Sequence, residues 1–106
     1  GNSLVLHNVE TGRLRLAFDR LSGSGHPSFS PDGKQIVIDH VLGTEGSGSL
    51  TLIDVEMGTT RHLVQVKVTD HSHVGTHLHP VWSRDGKQVL YASDASGIAQ
   101  LCVINV

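Results

Sequence analysis

Histidine is the residue type in this chain whose number and spacing could do chemistry. Eight of the 106 residues are histidine, and four of them lie between His71 and His79. His77 and His79 are separated by one residue, so in an extended segment their imidazoles lie on the same face. Imidazole nitrogens bind zinc, manganese, iron, copper and nickel ions. The histidines are therefore the first candidates for a metal site.

The elements that would position these histidines are internal repeats. HPSFSPDGKQIVI, beginning at His26, aligns without a gap with HPVWSRDGKQVLY, which begins 53 residues later at His79. SLVLHNVETG at Ser3 repeats as SLTLIDVEMG at Ser49, and QLCVINV follows from Gln100. A period of roughly fifty residues is typical of propeller blades and other repeated units.

Each repeat has the chemistry of β-strands joined by tight turns. The turn Ser30-Pro31-Asp32-Gly33 supplies a fixed φ at Pro31, a capping side chain at Asp32 and a positive φ at Gly33. No long segment has the apolar periodicity of a helix. We expect strands at residues 3–8, 13–17, 26–30, 34–40, 49–55, 60–66, 78–83, 87–92 and 99–105.

These strands predict an all-β fold, a β-propeller fragment of about two four-stranded antiparallel blades. The partial propeller spans residues 1–106, with blade boundaries near 25 and 77. Propellers typically need about four to eight blades, so two blades would leave strand edges and apolar faces exposed. Either missing blades of a longer parent chain or a homo-oligomer would have to complete the ring.

Composition argues against several classes of partner. Eight Lys and Arg against ten Asp and Glu give a formal charge of −2, so neither nucleic acid nor an anionic membrane surface is expected as a partner. Apolar stretches are too short for a membrane span. Cys102 is the only cysteine and is interpreted as a small buried apolar residue.

The two aligned segments resemble the TolB-type (PD40-type) propeller repeat, which occurs in scaffolds, peptidases and lyases. A longer run is similar to the last blades of the oligogalacturonate lyase family: RHLVQVKVTDHSHVGTHLHPVWSRDGKQVLYASDASGIAQLCVI, from Arg61 to Ile104. That resemblance implies a seven-bladed propeller that cleaves oligogalacturonides by β-elimination around a manganese ion. The family holds this ion with three histidines, two of them in an H-x-H-P element, and a glutamine.

The resemblance implies metal ligands at His26, His77 and His79. His77-Leu78-His79-Pro80 matches the H-x-H-P element, and His26 opens the equivalent strand one blade earlier. Where the family has its glutamine, this chain has Val74. The innermost strand of every blade lines the central channel, so His26 and His79 should converge there with His77 beside them. The cofactor implied is manganese, with zinc or another divalent transition metal as alternatives.

Two functions follow as hypotheses. The parent protein is a lyase acting on an oligogalacturonide or another uronate-containing carbohydrate, with catalytic residues unassigned and this fragment inactive by itself. Alternatively, it is a non-catalytic TolB-like scaffold that binds protein or carbohydrate. Members of the lyase family are cytoplasmic and other TolB-like propellers periplasmic, so the resemblance favours the cytoplasm and leaves the periplasm open.

The remaining polar residues have structural interpretations. A histidine before proline, such as His26, is also a plausible repeat residue that hydrogen-bonds a neighbouring loop. His71 and His73 are interpreted as loop residues near the channel mouth. Phe29 and Trp82 occupy the same apolar repeat position and are expected in the core between blades. Three further histidines are expected at surface or strand positions: His7, His40 and His62. No acid–base pair is expected among four carboxylates: Asp39, Asp54, Asp70 and Asp94.

Overall fold

A computed structural model describes residues 2–21, 25–42, 47–67 and 77–106 of the chain, without the side chains of 41 and 42. Within these residues the chain forms strands and turns, with no helix that could cross a membrane. The strands are β1 (Asn2–His7), β2 (Leu14–Leu21), β3 (Pro27–Phe29), β4 (Gln35–Leu42), β5 (Ser47–Asp54), β6 (Thr60–Lys67), β7 (Val81–Trp82), β8 (Gln88–Ser93) and β9 (Gln100–Asn105). The predicted all-β class and its nine strands are confirmed.

The strands form three antiparallel sheets, each made of strands that follow one another in sequence. The orders are β1-β2, β3-β4-β5-β6 and β7-β8-β9. The middle sheet has the four strands of a complete propeller blade. One predicted strand is much shorter than expected: 78–83 was anticipated, and only Val81–Trp82 pairs. His79, with φ of 41°, interrupts the extended backbone ahead of this strand.

The repeated turns fix the register of the first hairpin in each unit. In the Ser30–Gly33 turn, the Ser30 hydroxyl donates to Asp32 at 2.7 Å and accepts the Gln35 backbone N–H at 2.9 Å. Gly33 takes the positive φ of 71° that the sequence predicted. The turn from Ser83 to Gly86 repeats these contacts without the proline. The hydrogen bond from Ser30, followed by that from the Lys34 backbone, lowers the pKa of Asp32.

The central strands of the middle sheet, β4 and β5, are buried on both faces, because another sheet packs against each face. Ile36 and Ile38 face the first sheet, where they pack with residues of β1 and β2 such as Leu6 and Phe18. Val37 points the other way and packs with the third sheet, against Val89. Burial on both faces explains why β4 is continuously apolar rather than alternating.

The two aromatic repeat positions have different environments. Trp82 packs at the margin of the core between the second and third sheets, as predicted. Phe29 is about half exposed, so the prediction that it lies in the core between blades is wrong for the described chain. Among the described residues, the core cluster between the first and second sheets is formed by β1, β2, β4, β5 and the residue after β5, with no member from β3.

Candidate metal centre

The structure brings together the three histidines that the sequence singled out. His26, His77 and His79 each offer a ring nitrogen, and these three atoms lie within 4.8 Å of one another. The rings of His26 and His79 are stacked with centroids 3.8 Å apart, and the His77 centroid lies 5.7 Å from each of the other two. All three residues are exposed, so an ion could reach them from solvent.

Two neighbouring sheets supply the three rings. His26 immediately precedes β3, and His77 and His79 lie just before β7. β3 and β7 are the first strands of their sheets and contact each other. The cluster therefore lies where two sheets meet, with His26 and His79 at equivalent places ahead of the first strand of each sheet.

The buried residue between the paired histidines fixes which way their side chains point. Leu78 is buried in the core, and its carbonyl accepts the Ala92 backbone N–H at 2.8 Å. With Leu78 directed inward, His77 and His79 are directed outward on the same side.

His79 has a left-handed backbone, which is uncommon for a non-glycine residue and is further disfavoured before proline. Such strain costs about 1–3 kcal/mol and often marks a functional position.

Asp39 on β4 lies beneath the histidines and contacts two of them. Its carboxylate accepts the backbone N–H of His26 and, at 3.0 Å, the backbone N–H of His79. The His26 Nδ1 atom lies 3.1 Å from both carboxylate oxygens. The side chain of Asp39 is 7% exposed and that of His26 is 48% exposed, so a buried carboxylate lies under an accessible group of histidines.

Sequence reasoning missed Asp39, although a signal for it was present. The Ser30–Gly33 turn fixes a hairpin in which Pro27 pairs with Ile38. Position 39 must then lie opposite His26. A carboxylate directly across the strand pair from a candidate ligand is a plausible partner for its second nitrogen.

Gly25 allows the chain to pass close to β4 just before His26. A Cβ atom at this position would lie 1.7 Å from the backbone carbonyl oxygen of Asp39 and 2.9 Å from its carbonyl carbon. Backbone atoms cannot move aside as a flexible side chain can. A glycine is therefore required here for the His26 backbone to reach the Asp39 carboxylate.

The three imidazole nitrogens lie near enough to share one transition-metal ion if the rings turn toward it. Zinc–imidazole bonds of about 2.0–2.1 Å place tetrahedral donors roughly 3.4 Å apart. The observed separations are up to 4.8 Å, and the rings of His26 and His79 are stacked with 30° between their planes. Both the distances and the directions of the rings must therefore change before three nitrogens can bind one ion. Three donors leave a coordination position for water or substrate.

The other histidines do not join this cluster in the part of the chain that is described. His7 is exposed at the end of β1, His62 is exposed on β6, and His40 is buried on β4. His71 and His73 lie outside the described residues, as does Val74 at the position of the lyase family's glutamine.

Comparison with known proteins identifies the fold. No protein-family model matches the chain. Among solved structures, it is similar to TolB from Acinetobacter baumannii, with 21% identity and a TM-score of 0.78 over 97% of this chain and 24% of that one. A putative TolB from Agrobacterium tumefaciens gives 20% identity and a TM-score of 0.64 over 87% of this chain and 30% of that one. The β-propeller domain of the Trilobed protease from Pyrococcus furiosus gives 15% identity and a TM-score of 0.67 over 97% of this chain and 30% of that one.

These likenesses establish a β-propeller fold. The chain spans 24 to 30% of the length of these three structures, which fits the predicted fragment of about two blades. Identities of 21% or less carry the fold and not the activity. The β-propeller fold implied by the TolB-type repeats is thus confirmed, and the narrower resemblance to oligogalacturonate lyase stays a hypothesis.

Proposed function

We propose that this chain supplies a divalent transition-metal site to a TolB-like β-propeller, with His26, His77 and His79 as ligands. The observation that carries the proposal is the meeting of three imidazole nitrogens within 4.8 Å at the junction of two sheets. Strands at the inner edges of blades line the channel of a propeller, so the ion would lie in that channel.

The donor set bears on which metal would bind. The resemblance to oligogalacturonate lyase implies manganese. Imidazole donors suit zinc, copper, nickel and iron, however, whereas manganese is the weakest binder among the first-row divalent ions. With three imidazoles and no described oxygen ligand, we expect zinc to bind more tightly than manganese in this chain.

The chemistry proposed for the complete protein is β-elimination on an oligogalacturonide or another uronate-containing carbohydrate. A bound ion would place its positive charge beside the uronate carboxylate and offset part of the negative charge there. In the elimination a base removes the proton α to that carboxylate, a carbon–carbon double bond forms, and the glycosidic oxygen β to it leaves with the bonding electrons. The three histidines would orient the carboxylate end of the sugar. No residue of this chain is assigned as the base.

Further blades are required for this function. They would come from a longer parent chain or from identical chains in a homo-oligomer, and they would carry the base and the groups that bind the rest of the sugar. We therefore expect these 106 residues alone to bind metal without cleaving substrate.

Calorimetric titration of the metal-free chain with zinc and, separately, with manganese tests the metal site. One ion per chain is expected, with affinity at least tenfold lower in His77→Ala and in His79→Ala because each loses one of three ligands. His7→Ala is the matched control, because it removes an exposed histidine on β1 that is not part of the cluster. Absence of stoichiometric binding, or equal affinity in all four proteins, would overturn the proposal.

A non-catalytic scaffold is the second candidate, favoured by the likeness to two structures named TolB. On that proposal the propeller binds protein or carbohydrate and the histidines hold loops in place. The complete protein distinguishes the two when it is incubated with oligogalacturonide. Unsaturated uronate product, detected by its ultraviolet absorbance, supports the lyase, and its absence with metal bound supports the scaffold.

A further inference from the structure

We infer that Asp39 is the positioning residue of this centre: it fixes the proton of His26 on Nδ1 and so directs the Nε2 lone pair of that ring to the ligand. The inference deepens the proposed metal site and rests on it for its functional meaning. Its structural content, the position of one proton, can be measured whether or not metal binds.

The first step concerns the two nitrogens of the His26 ring. Nδ1 lies 3.1 Å from each carboxylate oxygen of Asp39. An ionised carboxylate only accepts hydrogen bonds, so Nδ1 must donate and carry the proton. A neutral imidazole has one protonated nitrogen, and Nε2 is then left with a free lone pair. A carboxylate behind a ligating histidine is a recurrent way to set its tautomer and orientation.

The second step concerns the backbone. The same carboxylate accepts the N–H groups of His26 and His79, which belong to different sheets and lie 53 residues apart in the sequence. It thereby holds the two stacked rings at their 3.8 Å centroid separation. The His79 N–H that it accepts belongs to a residue with a left-handed backbone.

An asparagine cannot replace this aspartate. The carboxylate faces three N–H donors, two from backbone and one from a ring. The asparagine side chain has one acceptor oxygen, and its NH₂ group would oppose one of those donors. A purely structural aspartate would hold the two backbones and leave the His26 ring free to adopt either tautomer, so the ring proton distinguishes the two roles.

The test is the tautomer of His26, measured by long-range nitrogen–proton NMR on metal-free chain labelled with nitrogen-15 in its histidines. The spectrum is recorded at about pH 8.5, where ordinary imidazoles are neutral. We expect His26 to be protonated on Nδ1 in the wild-type chain and in Asp19→Asn. Asp19 is the matched control, an exposed carboxylate that accepts the Ser3 hydroxyl at 2.8 Å. Asp39→Asn should lose this preference and bind zinc ten- to a hundredfold more weakly.

The outcomes separate the two proposals. A wild-type His26 protonated mainly on Nε2 would overturn the role of Asp39 even if zinc bound through His77 and His79, and this measurement requires no variant to fold. Unchanged zinc affinity in a folded Asp39→Asn chain would also overturn it. If wild-type chain shows the Nδ1 proton but binds no zinc, the proposed metal function fails, and the tautomer assignment stands.

Discussion

The carboxylate of Asp39 on β4 accepts the backbone N–H of His79, 40 residues further along the chain, at 3.0 Å. This bond joins the middle sheet to the segment that precedes β7. A second bond between the same sheets runs from the Trp82 indole N–H to the Ser28 carbonyl at 3.1 Å. The candidate metal centre is therefore built on the contact between two blades, and its properties should be coupled to the stability of that contact.

Metal binding should stabilise the chain. An ion that binds only the folded state adds about 2.7 kcal/mol to the free energy of unfolding when free metal is a hundred times Kd. We expect zinc at that concentration to raise the thermal midpoint of wild-type chain and of His7→Ala. The same concentration should stabilise His79→Ala by at most about 1.4 kcal/mol, because a site tenfold weaker is then at only about ten times its own Kd. Circular dichroism melts check this, and an equal rise in all three would indicate binding elsewhere.

Replacing Gly25 by alanine should be severely destabilising, because the added Cβ would lie 1.7 Å from the Asp39 carbonyl oxygen and force the backbones apart. We expect a loss of more than about 3 kcal/mol or failure to fold, a backbone clash being among the largest point-mutation effects. The matched control is Gly33→Ala, at a turn position with positive φ and open space, where about 1 kcal/mol is expected. Urea denaturation measures both, and similar losses would contradict the close approach.

Trp82→Phe should weaken the contact between the second and third sheets. Phenylalanine retains most of the apolar surface and removes the donor to the Ser28 carbonyl. A lost hydrogen bond with its acceptor left in place costs about 1–3 kcal/mol when buried, and the lower end applies to this half-buried pair. The free energy of unfolding in urea provides the measurement. No change would mean that water replaces the indole without cost.

Leu52→Ala should remove one of the most deeply buried side chains of the core shared by the second and third sheets. A loss of about 2–5 kcal/mol is expected from lost burial and the resulting cavity. Leu14→Ala makes the same chemical change on β2, where the side chain is 70% exposed, and should change stability by less than about 0.5 kcal/mol. Comparable effects at the two positions would be inconsistent with this packing.

The two repeat turns should contribute to acid sensitivity. Hydrogen bonds from Ser30 and from Ser83, followed by backbone bonds, lower the pKa of Asp32 and of Asp85 below the usual 3.8. The unfolded chain then binds more protons, so stability falls as pH drops from about 5 through these lowered values. Asp32→Asn should be less stable than wild type at neutral pH, and the difference should narrow as the pH falls below 3.8 through the lowered pKa of Asp32. Urea unfolding across this range checks the sign, and parallel curves would contradict it.

Local chemistry was sufficient to predict much of the fold. The Ser30–Gly33 turn and the β-branched runs around it identify a hairpin from residues adjacent in sequence. Repetition of that unit at His79 extended the prediction to the second blade. The strand predicted at 78–83 is reduced to Val81–Trp82, because His79 has a positive φ and its N–H bonds to Asp39, a residue 40 positions away, and neither feature can be seen in the local sequence.

The sequence by itself determined the strands, their hairpin turns and the equivalence of His26 with His79, because each depends on neighbouring residues or on repetition. Only the tertiary structure decided that Asp39 lies beneath both histidines, that Gly25 must pass against β4, and that Phe29 is half exposed where Trp82 is packed. The close approach at Gly25 depends on the spacing of the backbone within the β3–β4 hairpin, and the other two features depend on how one sheet docks on the next. That docking is set by the burial of Ile36 and Ile38 on one face of β4 and Val37 on the other.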